Sequence, residues 1–169
     1  MPQKKRKMTA LVLITAGIMA GVILKLFVID FLHVSGTSME KTIKNNSIIA
    51  VNKLAFGITV PFGDSLVVQW REPKRGDIVI YLYNNKIVVK RCVAVAGDHL
   101  DFLTDPEYSL LACGKKISLT EDQYRQMKSS TAVPSGFILA IGDNYAQSID
   151  SRTYGFVPVK NMLGKVLWK

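Results

Sequence analysis

The hydrophobic positions divide the chain near residue 30. From Met8 to Leu24 there are 17 residues without a charge, MTALVLITAGIMAGVIL, and the apolar character resumes after Lys25 with LFVI and FL. At 1.5 Å per residue the uncharged run makes roughly 26 Å of helix. Continued to Phe31 it reaches about 36 Å, more than a hydrocarbon core of about 30 Å. After Asp30 the helical pattern stops. SIIAVNKL, SLVVQW, DIVIYLY, KIVVKRCVAVAG, GFILAIG and GKVLWK are short, rich in Val, Ile and Tyr, and separated by Gly, Pro, Asn and Asp, which predicts a β-rich domain. Two asparagines between β-type runs, in Tyr83-Asn84-Asn85-Lys86, predict a hairpin. LTEDQYRQM, Leu119 to Met127, predicts the one helix of this part, opened by Thr120 with acidic residues behind it. Residues 101–133 are less apolar than their flanks and read as an insertion between core strands.

Charge gives the apolar run a direction. Lys4, Lys5, Arg6 and Lys7 precede it, whereas the opposite flank is weakly charged, so the positive-inside rule places the N-terminus in the cytoplasm and the remainder outside. Lys25, near one end, extends its amine toward the headgroups. The expected organisation is a basic cytoplasmic segment at 1–7, a transmembrane anchor at 8–31 and an exterior β-rich domain at 32–169. A cleaved signal peptide has a shorter apolar region ending at a small-x-small site. Here Ala16, Gly17, Ala20 and Gly21 lie inside the run, which favours an uncleaved anchor; a buried core helix would be shorter. The formal net charge of +9 then needs no nucleic-acid partner, because the basic block serves as a topology signal next to membrane lipid. A hydrophobic content of 49% with 21% charged residues excludes a disordered chain.

The candidate chemistry begins at Ser38, in TSMEKTI. A serine hydroxyl near neutral pH is a poor nucleophile unless a base takes its proton. His33 and His99 are isolated, and no Cys/His cluster has metal-ligand spacing, so the sequence calls for neither metal nor cofactor. A lysine can serve if its amine is held neutral, at a cost of about 3–4 kcal/mol against an ordinary pKa of about 10.4. Lys90 stands in such a place: in Ile87 to Val95 the period of two puts Val88, Lys90 and Cys92 on one face, so desolvation favours the neutral amine. The polar loop Gly142 to Arg152 follows a strand; Ser148 is of the right type to orient a lysine, and Asp150 to pair with Arg91 or Arg152. A plain turn with Asn and Asp in their usual places fits that loop equally well. Cys92 and Cys113 are free to pair in an oxidising compartment, yet Cys92 also suits a buried free thiol, and the sequence leaves the matter open.

Ser38-Met39 with Thr42-Ile43, the run Gly76-Asp77-Ile78-Val79, Lys90-Arg91 followed by Gly97-Asp98, and GDN…SxDSRxxGFVP from Gly142 to Pro158 resemble the successive boxes of bacterial type I signal peptidases. Order and approximate spacing are similar too, over nearly the whole chain. The resemblance implies a mostly β fold, an antiparallel β-sheet core with a less regular β insertion, preceded by one N-terminal transmembrane helix. It implies a Ser/Lys dyad with Ser38 as nucleophile and Lys90 as general base, Ser148 orienting the amine, and Asp150 with Arg91 and Arg152 holding the site by ion pairing. The Ser38 N–H would stabilise the oxyanion. Gly36 stands where some members have a helping serine. Leu32, Val34, Met39 and Val89 resemble the lining of shallow apolar pockets. The implied partners are exported preproteins with signal peptides, cut after a small-x-small site at the bacterial cell membrane. The family usually has Ser-Met-x-Pro-Thr; here Lys41 occupies the proline position, which leaves the turn less constrained. A dedicated processing peptidase for a specialised client, such as a conjugation or pilus protein, would use the same dyad. A non-catalytic, membrane-tethered β domain is the reading outside enzymes.

Overall fold

A computed structural model describes residues 2–59, 63 and 65–168, with the side chains of the first helix described from Met8 onward; the basic side chains of residues 4–7 lie outside the described ones. That helix, α1, runs Pro2–Phe27. Its segment Met8–Phe27 has a mean hydropathy of 2.3 and leaves its apolar window exposed, and its 20 residues make about 30 Å of helix, long and apolar enough to cross a membrane. The helix stops four residues short of the expected Phe31. Val28 donates the last helical hydrogen bond, to Leu24, and its own carbonyl accepts from the Lys53 N–H. From there the β-branched Val28 and Ile29 lead into strand β1, Ile29–His33, whose ladder with β2, Ile48–Asn52, satisfies the backbone that a helix would otherwise have to pair internally.

The remaining strands are β3 (Gly57–Thr59), β4 (Leu66–Gln69), β5 (Ile78–Tyr83), β6 (Lys86–Val95), β7 (Leu100–Leu103), β8 (Ser109–Ala112), β9 (Lys115–Ser118), β10 (Phe137–Ile141), β11 (Val157–Pro158) and β12 (Met162–Trp168), with two short helices, α2 (Glu121–Met127) and α3 (Ser151–Tyr154). Seven strands form the main sheet in the order β1-β2-β12-β5-β6-β10-β11, every pair antiparallel. The sheet is packed on both faces, which explains the unbroken apolar run of β5. Its Ile78 and Ile80 join Met39, Ile43, Ile49 and Val51 on one side, while Val79 and Tyr81 join Phe56, Cys92, Ile138 and Met162 on the other. The β5–β6 hairpin turns at Asn84 and Asn85, both in the left-handed region (φ 48° and 59°) that asparagine tolerates and a two-residue hairpin requires.

The insertion lies between β6 and β10. Its strands β7, β8 and β9 form a separate antiparallel sheet, and α2 begins at a capping box in which Thr120 and Gln123 satisfy each other's backbone N–H. Leu100, Leu110, Ile117, Met127 and Val133 pack there against Leu139 and Ile141 of β10. The insertion is therefore fastened to the strand that leads into the polar loop.

Candidate active site

Ser38 and Lys90 meet across 52 residues of sequence. The Lys90 Nζ donates to Ser38 Oγ at 2.5 Å. Lys90 lies in the middle of β6, paired with Val79 of β5, and by strand alternation shares its face with Val88 and Cys92. It is only 4% exposed. Burial lowers its pKa below the ordinary lysine value; the Asp150 and Asp143 carboxylates work against that, and the Arg152 guanidinium works with it. An amine at this distance serves in either sense: charged, it donates to the hydroxyl; neutral, it accepts the hydroxyl proton.

Ser38 sits in a tight turn between β1 and β2. Thr37 O accepts from the Glu40 N–H, and Met39 O accepts from the N–H groups of Thr42 and Ile43. The buried Met39 and Ile43 pin the turn to the core. The Ser38 N–H has no acceptor among the described residues, whereas the Gly36 N–H is already given to Asn45 Oδ1 at 2.9 Å.

The loop after β10 closes over this turn. The Asn144 N–H donates to Ser38 O at 2.9 Å, and Asn144 Nδ2 donates to Thr37 O at 3.1 Å. Asp143 accepts from the Thr42 hydroxyl at 2.5 Å and from Arg91 Nε and Nη2 at 2.8 and 2.6 Å. Burial pushes the Asp143 carboxyl up, but these donors and the Arg91 charge together hold it below the usual carboxylate range. Asp150, fully buried, accepts from the Gly142 N–H at 3.0 Å, caps α3 through the Arg152 N–H, and takes Arg152 Nε and Nη2 at 2.9 and 3.0 Å. Arg152 also donates to the carbonyls of Tyr145, Ser148 and, in the insertion, Ser118.

Two expectations change. Arg91 pairs with Asp143, not Asp150, so the site holds two separate ion pairs: Arg91–Asp143 braces the turn that carries Ser38 and Arg152–Asp150 braces the loop. Arg91 alternates to the face opposite Lys90, where Thr42 and Asp143 lie. Ser148 is buried, but its hydroxyl makes no hydrogen bond to Lys90 or to any other described residue. It lies against Gly142, where an added Cβ would stand 2.2 Å from Ser148 Oγ and 2.6 Å from Ser38 O. Sequence reasoning passed over Asp143, Asn144 and Thr42 as working residues, although all three stood inside the quoted boxes; the signal was the Gly-Asp-Asn string directly after an apolar strand.

A cavity of about 300 Å3 opens beside the pair, and Leu32, Val34, Met39 and Val89, the four expected lining residues, all border it. Cys92 and Cys113 are both free, and the Cys113 thiol donates to Asp98 at 3.2 Å.

The model of a family described as signal peptidase, peptidase S26, matches residues 6–169. The chain belongs to that family. It is a serine peptidase of the signal peptidase I type. It is 32% identical over 160 residues to a signal peptidase I of Bacillus caldolyticus, covering 85% of this chain and 80% of that protein. To a signal peptidase I of Pseudomonas fluorescens it is 26% identical over 184 residues, covering 85% of this chain and 65% of the relative. A solved signal peptidase I from Enterococcus faecalis V583 is similar at 28% identity and a TM-score of 0.41, over 57% of this chain and 97% of that one.

Proposed function

We propose that this signal peptidase is a membrane-anchored Ser/Lys endopeptidase that removes signal peptides from exported preproteins after a small-x-small site. The observation that carries the reading is the 2.5 Å contact between the buried Lys90 amine and the half-buried Ser38 hydroxyl. In the acylation step the neutral Lys90 amine takes the Ser38 proton as Oγ attacks the scissile carbonyl. The Ser38 N–H, free of any acceptor among the described residues, donates to the developing oxyanion. On collapse the Lys90 ammonium returns its proton to the leaving amine, and the signal peptide stays as an ester on Ser38. Lys90 then deprotonates a water that hydrolyses the ester. Ser148, whose buried hydroxyl is uncommitted, orients the amine once substrate excludes water.

The apolar lining of the cavity by Leu32, Val34, Met39 and Val89 supports a preference for small side chains before the cut. Met8–Phe27 serves as the membrane anchor, with residues 1–7 in the cytoplasm, and the β domain that follows works on the outer side of the bacterial cell membrane, where an exported chain emerges. Cleavage of a preprotein with an Ala-x-Ala site by full-length protein in detergent tests this. Ser38→Ala and Lys90→Ala are each expected to reduce kcat by roughly a thousandfold or more with the fold retained. Near-normal cleavage by either variant would refute the dyad.

A further inference from the structure

Lys41 is the residue of the nucleophile turn that the dyad leaves unused. It lies on the exposed side, three positions after Ser38, with its ammonium 5.4 Å from the centroid of the Tyr145 ring. The Arg152 guanidinium carbon stands at 5.4 Å from the same ring. Tyr145 is itself well held: its carbonyl accepts from Arg152 Nη2 at 2.9 Å, and its side chain packs against the cluster shared by β10 and the insertion. Its neighbour Asn144 is the residue whose N–H bonds Ser38 O. Lys41 thus leans on the loop one residue away from the point where that loop grips the nucleophile's own carbonyl.

The backbone of the turn has a gap at the same place. Its internal hydrogen bonds are donated by Glu40, Thr42 and Ile43, and none uses the Lys41 N–H. A proline at position 41 would remove none of these hydrogen bonds and would fix φ there. With lysine instead, φ is free, and the segment is restrained by what the side chain touches. An ammonium over the face of a tyrosine is attracted by the ring quadrupole, and a ring already fixed on its other contacts loses little freedom in receiving it.

We propose that Lys41 and Tyr145 form a cation–π clasp that positions the turn carrying Ser38, replacing by side-chain contact the restraint a proline at position 41 would supply. The inference rests on the reading of Ser38 as nucleophile. Lys41 is a positioning residue: it does not touch the reacting atoms, so its loss lowers kcat and leaves KM unchanged. The competing role, recognition of an acidic substrate residue beyond the cut, would instead change KM in a way that depends on substrate charge.

The test uses the full-length protein in detergent and preproteins that differ only in the charge just after an Ala-x-Ala site. Lys41→Met and Tyr145→Leu are each expected to lower kcat about three- to fivefold with KM unchanged, Lys41→Met without any change in melting temperature, and the double variant to be no slower than the slower single one. Lys41→Arg and Tyr145→Phe, which keep the cation and the ring, should hold the wild-type rate, and Lys41→Pro should restore kcat in the Tyr145→Leu background. A wild-type rate for Lys41→Met, fully multiplicative losses in the double variant, or a loss confined to KM for acidic substrates would overturn the clasp. Ser38→Ala separates the two levels. If it is inactive while Lys41→Met runs at full rate, the clasp alone fails; if Ser38→Ala still cleaves, the nucleophile assignment fails and the clasp with it.

Discussion

At Gly142 the backbone has no room for a side chain, because a Cβ would press on both Ser148 Oγ and the Ser38 carbonyl. The glycine lets loop and nucleophile turn approach closely enough for the Asn144 N–H to reach Ser38 O. Gly142→Ala is expected to lower kcat roughly a hundredfold, since a shift of about 1 Å at the nucleophile is enough for that. It should also lower stability by about 1–3 kcal/mol through overpacking. Activity assays beside thermal melts check both, and an alanine variant of normal rate would mean that the close approach does not set the Ser38 geometry. At this scale the burial of Lys90 was legible, because an interior strand lysine with apolar neighbours is conspicuous, and the structure sets its amine beside Ser38. The pairing of Arg91 was not legible: both Asp143 and Asp150 were within sequence reach, and only the turn's path decides which carboxylate faces which side of β6.

Strand β6 and the loop after β10 supply the charged groups around Ser38 together. β6 places Lys90 on one face and Arg91 on the other, and the loop answers each with a carboxylate that is already paired. That pairing bears on catalysis. Asp150 alone would stabilise the Lys90 ammonium, and Arg152 offsets it. Arg152→Gln would leave Asp150 buried with its charge unbalanced. The expected result is a loss of about 3–5 kcal/mol in chemical denaturation. The surviving activity should need a higher pH than the wild type, because the ammonium is then favoured. An unchanged pH profile would show that Arg152 acts only on stability. At the scale of elements the hairpin at Asn84-Asn85 and the capped helix after Thr120 were legible, since each is specified by local residues. The end of α1 was not, because LFVI continues an apolar helix as well as it begins a strand, and the choice was made by β2, a partner some twenty residues further on. The four-residue α3 was hidden for a similar reason: it depends on the Asp150 cap, and Asp150 is held by Gly142 and Arg152 as well.

The molecule as a whole joins one membrane-length helix to a β domain in which the proposed nucleophile, Ser38, lies shortly after the helix ends. The turn that carries Ser38 follows β1, and β1 follows α1 after one residue, so chain connectivity keeps Ser38 close to the end of that helix. Protease treatment of intact cells stripped of any outer barrier should digest the β domain and spare a tag on the N-terminus. Digestion of the tag with protection of the C-terminal strand would reverse the proposed orientation. Asp98 links the domain's parts at this scale: it accepts from the Val95 N–H and the Cys113 thiol and pairs with Arg75, which holds its carboxyl down at about 2. Its carboxylate therefore supports the fold above pH 4, and the support fades as the pH falls toward 2. Arg75 is more than half exposed, so salt screens much of this pair.

Activation of Ser38 by a neutral Lys90 amine, as proposed, leaves its mark on the pH dependence of kcat/KM for preprotein cleavage. Activity requires the deprotonated amine, so the rate should rise with pH along a limb that lies below the ordinary lysine value of about 10.4 and then level off. The limb should vanish with the activity in Lys90→Ala. A limb at the ordinary lysine value, or a pH profile that Lys90→Ala leaves intact, would contradict the account.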